Sequence, residues 1–581
     1  MMHHWRLSFF TMLACLLGQS GLLIIPAGSL PGGIEAAHAQ GTVRNPRPIP
    51  PRGDGPRKPG PRYEVTCGRC LAEAIYDPHL PVTDRNKNHK SLQRAIDNTR
   101  PGGKVTVYRD RNRAWLDPFS VRTPNITISA ADSEAGGTIV VRQETQTCLT
   151  VAPRGGRRFT DVTTTIEGFT FLANDGALGP CIDVRKGTLK LIKTRIDLGE
   201  SNGVGIEVGP TAALEFSGKN YDEHGIFAGV MESSLPGNPR NGTGIVANAS
   251  KAVRLTGIRL QGLAVALDSR AEVNALTGAR FFNNGVGVTI EDAAIARAYA
   301  PGLVINGGAF TENGDAIRLT AGGFGPAQRP SGIKPTIGAG LKAPTPSANR
   351  ARFSRPFRGR VLIKGEATDK VRFERNLRGI SFDDAYPTTG FRVERAEFSG
   401  HQGHALQLNL PRGTEAILSG VDFNQNAVPI VFANAFDGDL VIADGSFLFG
   451  SALSRGIAVE EGRGSLNIEF DGVVGARPVF VLGEFFDGTL ALNVSFGGDR
   501  HLVYFTEDTD VCRASLRKKN DRLAFFDLIN TLQIFVNNQQ LALLFGEIDP
   551  GTTGRRDISA RRLRGVQDIL CGRVLPEESP Q

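Results

Sequence analysis

The chain has 581 residues, with 70 Gly and 33 Phe against only 7 Tyr and 2 Trp, and a formal net charge of +8. That length allows one very large domain or several ordinary ones. The glycine follows no collagen-like triplet and so marks turns, and no run beyond the N-terminal segment is apolar and long enough to span a bilayer.

Residues 1–39 read as a targeting segment. His3, His4, Trp5 and Arg6 precede an apolar run containing Phe9, Phe10, Leu16, Leu17, Leu22 and Ile24, and the stretch closes at AAHAQ, where Ala37 and Ala39 fit a small-residue cleavage site. The mature chain then starts near Gln40. A lipoprotein signal at Cys15 is the rival, and the apolar run that continues well past that residue argues against it. The expectation is a secreted, periplasmic or cell-surface protein without a transmembrane span. Cleavage removes Cys15 and leaves Cys67, Cys70, Cys148, Cys181, Cys512 and Cys571, an even set that an oxidising compartment turns into disulfides. CGRC at Cys67–Cys70 lacks the βαβ context of a redox motif and the histidine of a haem-attachment motif, so a structural role is expected.

Residues 40–62 are Pro-rich and basic, with six Arg or Lys against one Asp. They read as a disordered or polyproline-like linker, a solvated spacer or a tether to an anionic surface. From Ser91, SLQRAIDNTRPGGKVTVYRDR reads as a short helix, a Pro-Gly-Gly turn and an alternating strand. Beyond it short β-type runs recur, each preceded by a Gly/Asn turn. They align on one apolar position: Leu149, Ile182, Ile206, Ile226, Ile245, Val265, Val288, Ile317, Ile380, Leu406, Ile430, Ile457, Val479 and Val503. From Leu406 onward the steps are 24, 27, 22 and 24 residues. A second position tracks the first through Phe281, Phe310, Phe373, Phe398, Phe423, Phe447, Phe470 and Phe496. A strand unit of this length cannot bury its apolar face alone. Stacked as successive coils, the units bury a continuous core with an internal phenylalanine stack. Tight turns with no helices between the runs argue for an all-β parallel solenoid.

The opening helix with PGGKVTVY, and the repeated N-G-x-G-I-x-V coils, resemble the pectin-lyase-like, right-handed parallel β-helix superfamily over about residues 85–505. The expected organisation is a β-helix over 63–505 with a short N-terminal capping helix, and a helical C-terminal cap over 506–581. Cys148 and Cys181 each sit directly before an aligned apolar residue. They would stack in neighbouring coils about 4.8 Å apart, within disulfide reach. Cys512 and Cys571 bracket the tail and are expected to pair, leaving Cys67 with Cys70. Two segments break the repeat. Residues 320–360 form a Gly/Pro-rich loop with eight basic residues and no acid; set against the chain's +8, this loop and the linker leave −5 for the rest. In the tail, Leu523–Phe545 reads as an amphipathic helix followed by a polar loop and a basic helix, which would cover the exposed strand edges of the solenoid end.

What the resemblance implies about activity is chemistry on acidic polysaccharides: carboxylates for acid/base work or for Ca²⁺, and Arg or Lys to neutralise uronate. Ca²⁺ is therefore the one candidate cofactor, with no ligand set assigned. NGDAIRL, with Asn313 and Asp315, resembles the N-T-D-G-I-D-I motif of polygalacturonase-type glycosidases, and Gly403–His404 resembles their Gly-His-Gly element. Their Asp pair has no counterpart before the next strand, NLRGISF; Asp383 and Asp384 follow that strand instead. Other coils carry NNGVG or NGTG there, so Asp315 also reads as turn punctuation, with Asn and Gly serving positive φ. A second set is Arg378, Asp383, Asp384, His401 and His404 in adjacent coils. His401 also reads as filling a ladder position, since Asn376 and Asn426 occupy the same place in the flanking coils. A third is NYDEHGIF. It has a likeness to the Asp-Pro-His stretch of mannuronan epimerases, with Glu223 in place of Pro; His224 would act as base and Tyr221 as acid beside Asp222. The candidate catalytic residues are thus Asp222, Glu223, His224, Arg378, Asp383, Asp384 and His404. Arg350, Arg352, Arg355, Arg358 and Arg360 in the basic loop are the candidate polymer contacts. Phe324, Phe353 and Phe357 among those arginines would also suit single-stranded nucleic acid; export argues against that partner and for an anionic polysaccharide. Two functions stay open, a polysaccharide lyase, epimerase or hydrolase, and a non-catalytic surface or matrix protein that binds the polymer.

Overall fold

Alternation along short runs lets one strand face both core and solvent. In Gly187–Ile192 the residues Gly187, Leu189 and Leu191 are buried while Thr188, Lys190 and Ile192 are not. The structure, a computed structural model, describes residues 70–573 apart from several short segments, 383–389 among them, and the longer stretches 229–241, 292–301, 321–360 and 541–559. The linker, the targeting segment, the basic loop 321–360 and Cys67 lie outside the described residues.

Among the described residues the strands form three sheets of 17, 12 and 14 strands. Chain order visits the sheets in rotation. Ala252–Thr256 lies in the first, Arg259–Gln261 in the second, Val265–Ser269 in the third, and Val273–Thr277 returns to the first directly beside Ala252–Thr256. Among the described residues every pairing between coils is parallel, and the one antiparallel pair joins Gln533–Val536 to Gln539–Gln540 near the C-terminus. This is the expected all-β parallel β-helix.

Register corrects part of the alignment. The third-sheet core column runs Phe119, Leu149, Ile182, Ile206, Ile245, Leu267, Val288, Ile317, Ile380, Leu406, Ile430 and Ile457, and Phe480 pairs with Ile457 in the same register. Ile226 belongs to the second sheet, and Leu267 and Phe480 replace Val265 and Val479. The second-sheet core column runs Ile226, Leu260, Phe281, Phe310, Phe373, Phe398 and Phe423, and Phe447 pairs with Phe423 in the same register. Phe470 and Phe496 pair with each other in the first sheet. The phenylalanines stack face to face, with centroids 4.7, 5.0, 4.6 and 5.3 Å apart from Phe281 to Phe423 and planes within 13°.

The bend between the second and third sheets carries one left-handed residue per coil: Asn283, Glu312, Arg375, Gly400 and Gln425. The next residue, Asn284, Asn313, Asn376, His401 or Asn426, is buried and starts a side-chain ladder. Asn284 and Asn313 therefore serve hydrogen bonding, not positive φ.

The ends are closed as expected. The helix Leu92–Asp97 begins at Ser91, whose Oγ accepts from the Arg94 amide at 3.3 Å, and buries Leu92, Ala95 and Ile96. The tail supplies the helices Asp510–Arg513, Lys519–Thr531 and Ala560–Leu570. One part of it differs from expectation. Gln533–Val536 is a strand that adds in parallel to Leu490–Phe496, because QIFV meets the open edge left by the last coil. Cys148–Cys181 forms with Cα atoms 4.9 Å apart, one coil spacing, and Cys512–Cys571 forms with 5.8 Å. Cys70 is also disulfide-bonded. Among the described residues no helix is long and apolar enough to cross a membrane.

Candidate functional site

Each third-sheet strand from Val204 to His404 opens with an outward residue followed by Gly or Ala: Gly205, Gly244, Ala266, Gly287, Ala316, Gly379 and Ala405. Pairing skips this small position, so that Asp315 pairs Arg378 and then Ile317 pairs Ile380. The skip exists because the backbones approach closely there; a Cβ on Gly379 would lie 2.0 Å from the Ala405 carbonyl. The residues before the small one thus form an outward column of their own, Val286, Asp315, Arg378 and His404 in successive coils. Arg318 and Ser381 pair in the next outward column.

Five of these side chains, Asp315, Arg318, Arg378, Ser381 and His404, cluster on one face. The Asp315 carboxylate, 2% exposed, accepts from Arg378 Nε at 2.5 Å and Nη2 at 2.9 Å, and from Arg318 Nε at 2.8 Å and Nη2. The arginine side chains are 41% and 35% exposed, so their outer edges face solvent. His404 lies one coil beyond Arg378, half-buried, with Nε2 2.8 Å from the Ser381 hydroxyl. Burial, and next the charge of Arg378, hold its pKa down at about 4, with Asp315 opposing. Its ring is neutral at neutral pH. Asp315 is therefore neither a free acid nor a solvated turn residue. It orients two guanidinium groups beside a neutral imidazole–hydroxyl pair.

His401, next to this face, belongs to the ladder. Asn284 Nδ2 donates to Asn313 Oδ1 at 3.0 Å and Asn313 Nδ2 to Asn376 Oδ1 at 2.9 Å. His401 Nδ1 lies 2.8 Å from Asn426 Oδ1, an acceptor, and Nε2 lies 3.5 Å from Asn376 Nδ2, a donor. Those neighbours suit a neutral ring protonated on Nδ1, and burial lowers the pKa to about 4. The sign of the linkage follows. Between the ordinary value near 6.5 and about 4 the unfolded chain binds a proton that the folded chain refuses. Stability from His401 is full above about pH 6.5 and is lost as pH falls towards 4, on the order of 3 kcal/mol for so buried a ring. His401→Asn, which matches the flanking coils, is expected to flatten the acid limb of stability measured by denaturant titration across that range. Superimposable pH profiles for variant and parent would refute the assignment.

Asp222, Glu223 and His224 sit elsewhere, in the bend that leads from the first sheet into Gly225–Ala228 of the second. His224 Nδ1 accepts the Lys219 and Asn220 amides at 3.1 Å each, closing its own turn. Burial lowers its pKa; Lys193 adds to the shift and Glu223 opposes it. Gly225 is four coils from Arg372 of the Arg378 coil, roughly 19 Å, so the two predicted groups do not converge. Asp383, Asp384, Arg350, Arg352, Arg355, Arg358 and Arg360 lie outside the described residues. Among the described residues no group of three or more His, Cys, Asp or Glu side chains is placed to hold a metal ion. Ser381 was missed because its partner His404 lies 23 residues away, and Arg318, only three residues from Asp315, because it joins the site through the outward face it shares with Asp315; the small residue after each outward position was the available signal. No family model, curated protein or solved structure matches the chain.

Proposed function

We propose that this chain is an exported member of the pectin-lyase-like superfamily that engages an acidic polysaccharide, and that it acts on the polymer at the third-sheet face around Arg378 and His404. The observation that carries this is the clamped guanidinium pair beside a neutral imidazole. Asp315 holds Arg318 and Arg378 with their outer edges to solvent, where they would pair with a uronate carboxylate. Neutralising that carboxylate acidifies the adjacent C–H, and His404 would take its proton. In elimination the electron pair then forms a C=C bond while the neighbouring C–O bond breaks and the leaving oxygen is protonated. In epimerisation a proton returns to the opposite face. Hydrolysis by a carboxylate pair is less well served, since Arg378 stands where the resemblance would put the second acid. Disulfide formation supports export, and the loop arginines Arg350 to Arg360 would extend the polymer contact.

One observation favours a non-catalytic binder instead: both guanidinium groups are already paired with Asp315. Incubating the mature protein with alginate, pectate, polygalacturonate and neutral glucans separates the two. New ultraviolet absorbance with new reducing ends is the expected result, and His404→Gln should lower it roughly 10²–10⁴-fold while leaving polymer retention intact. Reducing ends alone indicate a hydrolase. A change in sugar configuration, read by proton NMR, indicates an epimerase. Silence in every channel with salt-sensitive retention of the acidic polymers leaves the binding role alone.

A further inference from the structure

The second sheet carries a feature that the candidate residues do not include. One of its outward columns holds Arg195, Gly225, Arg259, Arg280, Ala309 and Arg372 in consecutive coils, four arginines in six positions, between Thr170 at one end and Glu397 at the other. Three of them are shaped by rings. Arg195 lies over Phe227 at 4.2 Å, Arg259 over Phe282 at 4.7 Å and Arg280 over Tyr221 at 3.8 Å. Stacking fixes the plane of each guanidinium and lets its remaining N–H groups donate to an anion; Arg195 already spends Nη2 on Asp197 Oδ2 at 3.1 Å. Arg259 and Arg280 are direct cross-strand partners, an arrangement of like charges that destabilises a sheet unless an anion joins it.

One anion already does. Gly225 stands between Arg195 and Arg259 with φ +147°, and a Cβ there would lie 1.8 Å from the Arg259 carbonyl, so no side chain can fill the gap. Asp222 reaches over it from the preceding bend. Its Oδ1 accepts from Arg259 Nη1 at 3.1 Å and its backbone carbonyl accepts from Arg195 Nη1 at 3.5 Å. The Asp222 side chain is nonetheless 82% exposed, free to swing away at little cost.

Building on the acidic-polysaccharide reading above, we propose that this column is a second polymer-binding track, specific for carboxylated chains, in which Asp222 occupies the position a polymer carboxylate takes over. A linear polyuronate fits because its carboxylates recur along one axis, as the arginines do along the solenoid. Asp222 then acts as an internal competitor that weakens binding and sharpens selection for polymers presenting several carboxylates at once.

The test is titration of the mature protein with polygalacturonate, with neutral dextran as control, by calorimetry at low and high NaCl. Asp222→Asn keeps the turn's acceptor oxygen and removes the charge; it is expected to tighten binding severalfold. Arg259→Gln with Arg280→Gln is expected to weaken binding at least about tenfold, the loss of one charge-assisted contact or more, while Arg259→Lys with Arg280→Lys restores part of it. Circular dichroism and melting of each variant separate lost binding from lost folding. Unchanged or weaker binding by Asp222→Asn, or full-strength binding by the double Gln variant, overturns the track. If Arg378→Gln alone abolishes binding, the third-sheet site stands and the track falls. If the parent protein binds no acidic polymer, both fall.

Discussion

Asp315→Asn is expected to destabilise the protein by about 3 kcal/mol, the lower end for removing one partner of a buried ion pair, because its arginines keep some solvent. The asymmetry is the point. Asp315 is 2% exposed and satisfies two guanidinium groups from two coils; without it two like charges face each other in a half-dry site. Arg378→Gln should cost less, since Arg318 stays on the carboxylate and the lost cation is 41% exposed. Urea titration of both variants at neutral pH measures the difference. Equal midpoints for Asp315→Asn and the parent would show that the carboxylate clamps nothing. The same substitution should abolish turnover on any acidic polymer, because it releases the guanidinium groups from the geometry that aims them.

Phe373→Ala is expected to cost about 3–5 kcal/mol, the range for an aromatic core truncation that leaves a cavity. Phe373 is fully buried and stacked on both faces, 5.0 Å from Phe310 and 4.6 Å from Phe398. The damage should be local first. In a solenoid each coil contacts only its neighbours, so hydrogen exchange should accelerate most in the strands around Phe310, Phe373 and Phe398 and least near Leu189. Phe373→Leu keeps apolar contact and should be milder. Uniform acceleration along the whole solenoid would mean that the coils unfold as one unit and that the stack is not a local support.

Much of this was legible in one dimension. Recurring turn-and-alternation units implied stacked coils, because no such unit buries itself. The spacing of Cys148 and Cys181 before aligned apolar residues implied a bond between neighbouring coils, and it forms. Asn376 and Asn426 around His401 implied a ladder. Those inferences rest on periodicity and on neighbours one coil away, and both are local properties of the chain.

What only the tertiary structure decided is which sheet each run joins and which outward residues meet. A single apolar alignment cannot tell three sheets apart, so Ile226, Phe470 and Phe496 were assigned to the wrong column. Asp315 and Arg378 are 63 residues apart in sequence and hydrogen-bonded in space, because a long insertion separates two coils without separating their strands. The arginine column of the second sheet is likewise spread from Arg195 to Arg372 at irregular intervals. Apolar periodicity is dictated by burial within each coil and can be read along the chain. Side-chain convergence on the outer face depends on the stacking register between coils, which bends and insertions of unequal length hide from any linear spacing.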